Sequence, residues 1–287
     1  MNFYKIKILR KLLLPFLSRF SFDFKKSHPW VEHCRYRLNS FKHKGYWWHG
    51  KRRERETMVL FRELVQPGSS VLEVGGHIGF ISMYFGKLVG PEGKVFVFEP
   101  GSDNLKYLRR NIHAFNERGE RGDVKLIEKA VSDLSGEVIF YEENLTGQNN
   151  SLVKNFKGFT NNQQHAFVNS YTNEKTVQAT TLDDWVDSEG FRLRNRNKEV
   201  FIKIDVEGAE FQVLSGGTRF FEEFQPAMMC EIQADRDLIY DWAHRQGYLM
   251  FGVDKRQRGS PEQLNGNTFF IPKASRFAQT IPWRFTV

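Results

Sequence analysis

Glu73, Glu99, Asp205, Glu207 and Glu231 stand at or just past the ends of short apolar runs that read as β-strands. In an open α/β sheet the carboxyl ends of the strands border the crevice where ligands bind. Carboxylates grouped there attract cations, exchange protons and hold hard metal ions. Beside the first of them runs a glycine turn, Glu73-Val74-Gly75-Gly76-His77-Ile78-Gly79. Glycines at 75, 76 and 79 permit a tight bend and bring backbone N–H groups close to a ligand. The turn is not the G-x-G-x-x-G of dinucleotide folds. Glu73 would repel a pyrophosphate but attract a sulfonium and an ammonium. Glu99-Pro100 ends the next strand, the position from which a carboxylate accepts both ribose hydroxyls. These residues favour a cationic nucleoside without phosphate, S-adenosylmethionine, over NAD. Ser132 and Asp133, past the third strand, complete the expected cofactor set of Glu73, Gly75, Gly76, His77, Gly79, Glu99, Pro100 and Asp205.

The segment Phe201-Ile202-Lys203-Ile204-Asp205-Val206-Glu207 carries the most information. Side chains alternate along a strand, so Lys203, Asp205 and Glu207 share one face. A central parallel strand is usually apolar on both faces, and buried charge is costly unless it is paired or functional. The strand end is therefore expected to open into the cleft. Asp205 would touch the methionine part of the donor or the acceptor. Glu207 serves either as a general base or as a cap on the following helix, and Glu210 reads as a dipole-compensating surface residue. Asp205, Glu207 and Glu231 are the catalytic candidates, with His77 as a further candidate base. A divalent cation such as Mg²⁺ on the carboxylates is the alternative route to activating a hydroxyl, and a side-chain base is preferred. His49 and His165 are minor candidates for facing substrate.

Alternating elements must position these groups. Residues 58–66 have helical spacing, with Thr57 as N-cap. Strands are expected at 70–74, 95–98 and 124–127, with helices at 78–88 and 105–115 between and after the first two. Residues 134–180 break the rhythm: they open with a strand at 137–141 and are then rich in Asn, Gln, Gly, Ser and Thr, the composition of an insertion or substrate lid. Thr181-Leu182-Asp183-Asp184 has capping-box spacing. Strands at 200–205 and 227–232, helices at 209–215 and 238–246, and a final strand pair at 248–253 and 268–271 finish the chain. This order predicts a mostly parallel sheet covered by helices on both faces.

The run Lys203-Ile204-Asp205-Val206-Glu207-Gly208-Ala209-Glu210, with Val213-Leu214 and Gly216-Gly217 behind it, resembles the signature of FkbM-family methyltransferases. Phe98-Glu99-Pro100, Thr181-Leu182-Asp183, Pro226 and Glu231 are similar to the same family in order and spacing, and the likeness covers residues 68–235. It implies a Rossmann-like class I fold with a seven-stranded sheet, S-adenosylmethionine as donor, and O-methylation of a sugar, glycan or other small-molecule hydroxyl. The family commonly has Asp and then Gly-Ala-Asn-x-Gly where this chain has Glu73 and Gly75-Gly76-His77-Ile78-Gly79. That departure supports the alternative of a non-catalytic binding module. Base methylation is disfavoured, since Asp205-Val206-Glu207-Gly208 lacks the Asn/Asp-Pro-Pro-aromatic run that stacks a flipped base, and a nucleic-acid partner is disfavoured with it.

Composition is that of an ordinary globular chain with abundant Phe, which is core material. Residues 1–56 hold fifteen Lys and Arg against four Asp and Glu. The whole chain is only +8, so the rest is net acidic. Residues 1–56 therefore read as a basic, aromatic extension with a loop at 45–50, and 57–287 as the catalytic domain. The extension either packs its aromatics on the body or meets an anionic membrane surface, chiefly through residues 1–26, or an acidic partner. Cys34 and Cys230 fit no metal or disulfide pattern, which together with the lack of an apolar 20-residue run favours a cytoplasmic protein, peripheral at most to a membrane. The sequence leaves the oligomeric state open.

Overall fold

The computed structural model describes residues 19–48, 53–117, 119, 121–159, 171–188, 191 and 198–285. His49, His165 and the first eighteen residues lie outside them. Asp23–His28 (β1) and Val31–Asn39 (β2) form an antiparallel hairpin around Pro29-Trp30. Along β2 the chain alternates: Cys34, Tyr36 and Leu38 are buried, and Arg35 and Arg37 point away. The buried set joins the same core as the body, so packing draws no boundary at residue 56. Lys44–Trp48 (α1) turns the expected loop at 45–50 into a short helix over its described part. Arg55–Leu64 (α2) begins before Thr57. Thr57 is buried in its first turn, and Glu54 is the N-cap residue, in a left-handed conformation without a side-chain cap.

The body then winds as Ser70–Val74 (β3), Phe80–Val89 (α3), Lys94–Phe98 (β4), Ser102–Asn116 (α4) and Asp123–Ile127 (β5). Ala130–Val131 (β6), Gly136–Glu143 (β7) and Thr172–Thr180 (β8) make a separate three-stranded sheet, so the stretch expected as an insertion or substrate lid carries a nine-residue strand besides the one that opens it. Leu182–Ser188 (α5) follows, its first turn capped as expected: Asp184 N–H donates to Thr181 Oγ1 at 3.0 Å. Val200–Ile204 (β9), Glu210–Ser215 (α6), Thr218–Phe224 (α7), Ala227–Ile232 (β10), Arg236–Arg245 (α8), Tyr248–Gly252 (β11), Gly266–Pro272 (β12) and Phe277–Thr280 (α9) complete the chain.

The main sheet has the order β11-β12-β10-β9-β3-β4-β5. β12 is antiparallel to both of its neighbours, and β10-β9-β3-β4-β5 are parallel. The central parallel strands are largely apolar on both faces, as suits helix-covered strands, with Glu73 on β3 and Lys203 on β9 as buried exceptions. Val71, Val95 and Val97 face one core with Phe61, Phe85 and Phe201, while Leu72, Val74, Phe96 and Phe98 face the other with Trp185 and Phe191. The chain runs outward from β3 to β5 and then returns to the other side of β3 at β9. Strand order thus reverses between β3 and β9, where such sheets open a crevice. Both cysteines are buried thiols, and no helix among the described residues is long and apolar enough to cross a membrane.

Candidate active site and cofactor cleft

A cavity of ≈ 240 Å³ opens over the ends of β3, β4, β9 and β10. Gly75 turns the chain at its floor with φ of +90°, and a Cβ there would lie 2.0 Å from the Asp205 carbonyl oxygen. The N–H groups of Gly75 and Gly76 donate to Phe98 O at 3.0 and 3.1 Å, pinning the bend to β4. Substitution of Gly75 by alanine is therefore expected to prise β3 from β9. It should cost more than the ~1 kcal/mol of an ordinary Gly–Ala difference and abolish ligand binding, as read by denaturant unfolding and calorimetry.

Glu99 lines the cavity and is itself buried. Its Oε2 accepts from His77 N–H at 2.8 Å, and its Oε1 from Gly101 N–H at 2.9 Å and Asn104 Nδ2 at 3.2 Å. Burial pushes its pKa up to about 7 against those donors. A carboxylate offers about four lone-pair positions, and three are filled, so Glu99 is left with room for one further donor rather than a ribose diol. Asn104 also donates to Gly147 O at 2.9 Å, tying the insertion to this corner.

At the other end, Asp205, Glu207 and Glu231 bring carboxylate oxygens within 4.8 Å of one another, and all three line the cavity. Lys203, nearly fully buried, sets their electrostatics. It pairs in register with Glu73 across β3 and β9. Its Nζ lies 3.0 Å from Asp205 Oδ2 and 3.8 Å from Glu73 Oε1, and it donates to Gly75 O at 3.1 Å. Burial works against the Lys203 charge, but Asp205 and Glu73 more than offset it and raise its pKa. Burial would likewise raise Asp205; the Lys203 ammonium and a hydrogen bond from Glu231 hold it below its usual value. Glu231 is pushed far above the carboxylate range, first by the Asp205 charge and then by burial. Glu207 is raised by burial and by Asp205. The trio is therefore one carboxylate with two neighbours that keep their protons at neutral pH.

Glu207 owes its position to a strained turn, φ of 56° at Glu207 and 99° at Gly208. Ser151 Oγ from the insertion grips its carbonyl at 2.7 Å. Its side chain is thus in the cavity and does not cap α6, which begins three residues later. Glu210, expected at the surface, is buried, and its Oε1 accepts from Gly208 N–H at 2.8 Å.

A family model for the methyltransferase FkbM domain matches residues 73–250, more than half of the sequence. The chain belongs to the FkbM methyltransferase family. No curated protein matches it significantly. Among solved structures, an FkbM methyltransferase from Methylobacillus flagellatus KT is similar over 75% of this chain and 50% of its own, at 14% identity and a TM-score of 0.44. The match thus spans half the length of that protein. A SAM-dependent methyltransferase from Aquifex aeolicus matches over 79% of this chain and 95% of its own, at 10% identity and a TM-score of 0.38. Aeropyrum pernix fibrillarin, whose structure contains S-adenosylmethionine, matches over 74% and 70%, at 12% identity and a TM-score of 0.36.

The FkbM domain gathers most of the sequence-chosen residues and displaces a few. Gly75, His77, Glu99, Pro100, Asp205, Glu207 and Glu231 line one cavity. Gly76 and Gly79 shape the bend from behind it, packed on Leu108. Glu73 is not in the cavity wall: its Oε2 accepts from Ser82 at 2.5 Å, it faces Lys203, and burial raises its pKa to about 7. In this structure its carboxylate faces Lys203 and does not line the cavity. Ser132 and Asp133 are also outside the wall; Ser132 N–H donates to Thr180 O at 3.1 Å and its hydroxyl to Asp133 at 3.0 Å. Lys129, Ala130 and Val131, immediately before them, take their place.

His77 is no base. Its Nδ1 lies 2.8 Å from Tyr46 Oη and its Nε2 3.2 Å from Thr146 O. A carbonyl only accepts, so Nε2 bears the proton and Nδ1 accepts from the tyrosine. Burial lowers its pKa to about 4. Its φ of 49° is one that His, like Asn, tolerates. His77 therefore braces the N-terminal segment against the insertion. Sequence reading missed Tyr46, Arg53, Gln148, Asn149 and Asn267, all in the cavity wall. The period-2 pattern of β2 signals that its own segment packs on the body, but Tyr46 and Arg53 lie beyond it, in α1 and in the turn before α2.

The residues present suit S-adenosylmethionine. The Gly75 bend is held so tightly that no Cβ fits it, Glu99 keeps a free acceptor site, and Asp205 offers a carboxylate to a cation.

Proposed function

We propose that this protein transfers the methyl group of S-adenosylmethionine to a hydroxyl of a sugar, glycan or comparable small molecule. The observation that carries this reading is the carboxyl–carboxylate pair of Glu231 and Asp205, with Glu207 beside it, in the same cavity as the glycine bend and Glu99. The donor supplies an electrophilic methyl on a sulfonium. Asp205 accepts the proton of the incoming hydroxyl, and Glu231 stabilises the pair through the proton they share. Such proton transfer contributes roughly 10²–10⁴-fold, and holding the reactants in line contributes further. The cavity wall also holds Gln148, Asn149 and Asn267, whose amides donate and accept hydrogen bonds without charge, as hydroxyl-rich acceptors require. The same three carboxylates have the spacing and hard oxygen donors that a divalent cation takes, with Asp205 already neutralised by Lys203.

Isothermal titration with S-adenosylmethionine tests the donor: micromolar binding is expected, weakened roughly 10- to 100-fold by Glu99→Ala. Mass spectrometry of glycans and lipids from cells with and without the gene tests the acceptor, through a methyl-sized mass difference. Absence of donor binding, or methylation found on nitrogen, overturns the reading.

Binding is also expected to release protons. Glu207 and Glu231 hold theirs at neutral pH because of burial and Asp205. A bound sulfonium lowers both pKa values from about 9 and about 10, so protons leave and affinity rises with pH until it passes those values. Titrations in buffers of different ionisation enthalpy read the number released; proton uptake would contradict the assignment.

A further inference from the structure

The basic N-terminal stretch sends one of its arginines into the cavity. Arg53 lines it, with its guanidinium carbon 4.3 Å from the centre of the Tyr46 ring and its Nη2 3.0 Å from Glu54 Oε1. The side chain is 21% exposed. Gly45 makes room for it: a Cβ there would sit 2.5 Å from Arg53 Nη1. Tyr46 in turn hydrogen-bonds and stacks on His77. The guanidinium is thereby fixed, through two aromatic contacts, to the glycine bend.

The rest of the cavity sharpens the question of what this cation meets. Its wall holds Glu99, Asp205, Glu207 and Glu231. Those groups suit a sulfonium and an ammonium but repel the α-carboxylate of a methionine tail. Among the described residues, the wall has two cations, Arg53 and Lys129. Lys129 follows β5, the strand beyond β4, which Glu99 follows. A ribose on Glu99 and a sulfonium before Asp205 direct the tail toward β3 and β9, away from Lys129. At that end, Arg53 lies in the field of Asp205 and stacks on the ring that touches His77. Glu54 engages one nitrogen of a group with five N–H donors, so the guanidinium keeps donors for a carboxylate.

We infer that Arg53 binds the α-carboxylate of the donor's methionine tail, so that the N-terminal segment is part of the cofactor site. This rests on the donor reading above. It makes the site selective for a nucleoside bearing a complete amino acid.

The test is calorimetry on the full chain with S-adenosylhomocysteine, which has the carboxylate, and 5′-methylthioadenosine, which lacks the amino acid. Arg53→Gln is expected to weaken S-adenosylhomocysteine roughly 10- to 100-fold, to leave 5′-methylthioadenosine within about two-fold, and to be partly rescued by Arg53→Lys. Equal losses for both ligands, or loss for neither, overturn the inference. Should Arg53→Gln not fold, decarboxylated S-adenosylmethionine on the wild type decides: binding as tight as the intact donor overturns it. Failure of the wild type to bind either nucleoside removes the donor reading itself, and is seen before any variant is made.

Discussion

Asp205→Asn is expected to reduce methyl transfer by roughly 10²- to 10⁴-fold, the range for loss of a positioned base, with the fold retained. Asparagine keeps the volume and a carbonyl oxygen for Lys203, which also retains Glu73. What disappears is the negative charge that Lys203 and the Glu231 proton stabilise. With it goes the acceptor for the substrate proton. Glu231, raised chiefly by that charge, should then titrate lower, so the pH profile of residual activity moves toward acid. Labelled methyl incorporation into an extract of cells lacking the gene measures the loss, beside a thermal melt to check the fold. Running the assay with and without added Mg²⁺ separates a carboxylate that takes a proton from one that holds an ion. Turnover within ten-fold of wild type would remove Asp205 from the chemistry.

Lys203→Met should be the most damaging single change to stability. The ammonium is almost fully buried among Asp205, Glu73 and the Gly75 carbonyl, and its removal strands Glu73 in a dry interior and leaves Asp205 unpaired at the cavity wall. Breaking one partner of a buried pair costs about 3–5 kcal/mol, a large part of an ordinary domain's total. The penalty should depend on pH with a definite sign. Without the cation, burial holds the folded-state pKa values of Asp205 and Glu73 above their unfolded values. The folded variant then binds more protons than the unfolded chain, and its stability falls as pH rises. Denaturant unfolding at pH 5 and pH 8 should show the larger deficit at pH 8. Adding Glu73→Gln should recover part of it by removing one stranded acid. A deficit under 1 kcal/mol, or one that grows toward acid, would mean that Lys203 is not what neutralises the cluster.

Both predictions start from residues visible in the sequence, and the comparison shows where such visibility stops. The charges on the Lys203–Asp205–Glu207 face stood out because a central strand should be apolar. The parallel sheet followed from alternating periodicity, which is local. By contrast, Glu73 looked like a ligand for the donor because it ends a strand beside the glycine bend. Only its register opposite Lys203 shows that its charge is spent inside the protein. Thr57 looked like a helix cap, but α2 starts earlier, from a left-handed Glu54. Glu210 looked exposed, yet the strained turn at Glu207 and Gly208 folds it back onto a backbone amide.

For the N-terminal segment the sequence left two readings open, aromatics packed on the body or a charged surface contact, because a count of Lys and Arg carries no direction. In the structure, Cys34, Tyr36 and Leu38 anchor a hairpin in the core, and Tyr46 and Arg53 reach the cavity. By itself the sequence determined the alternation of strands and helices, the family signature and the acids at the strand tips, since these depend on neighbours a few residues apart. The tertiary structure decided which acids share a hollow, which are paired off by Lys203, and that a basic segment closes the site, since those facts depend on strand register and on contacts between residues far apart in the chain.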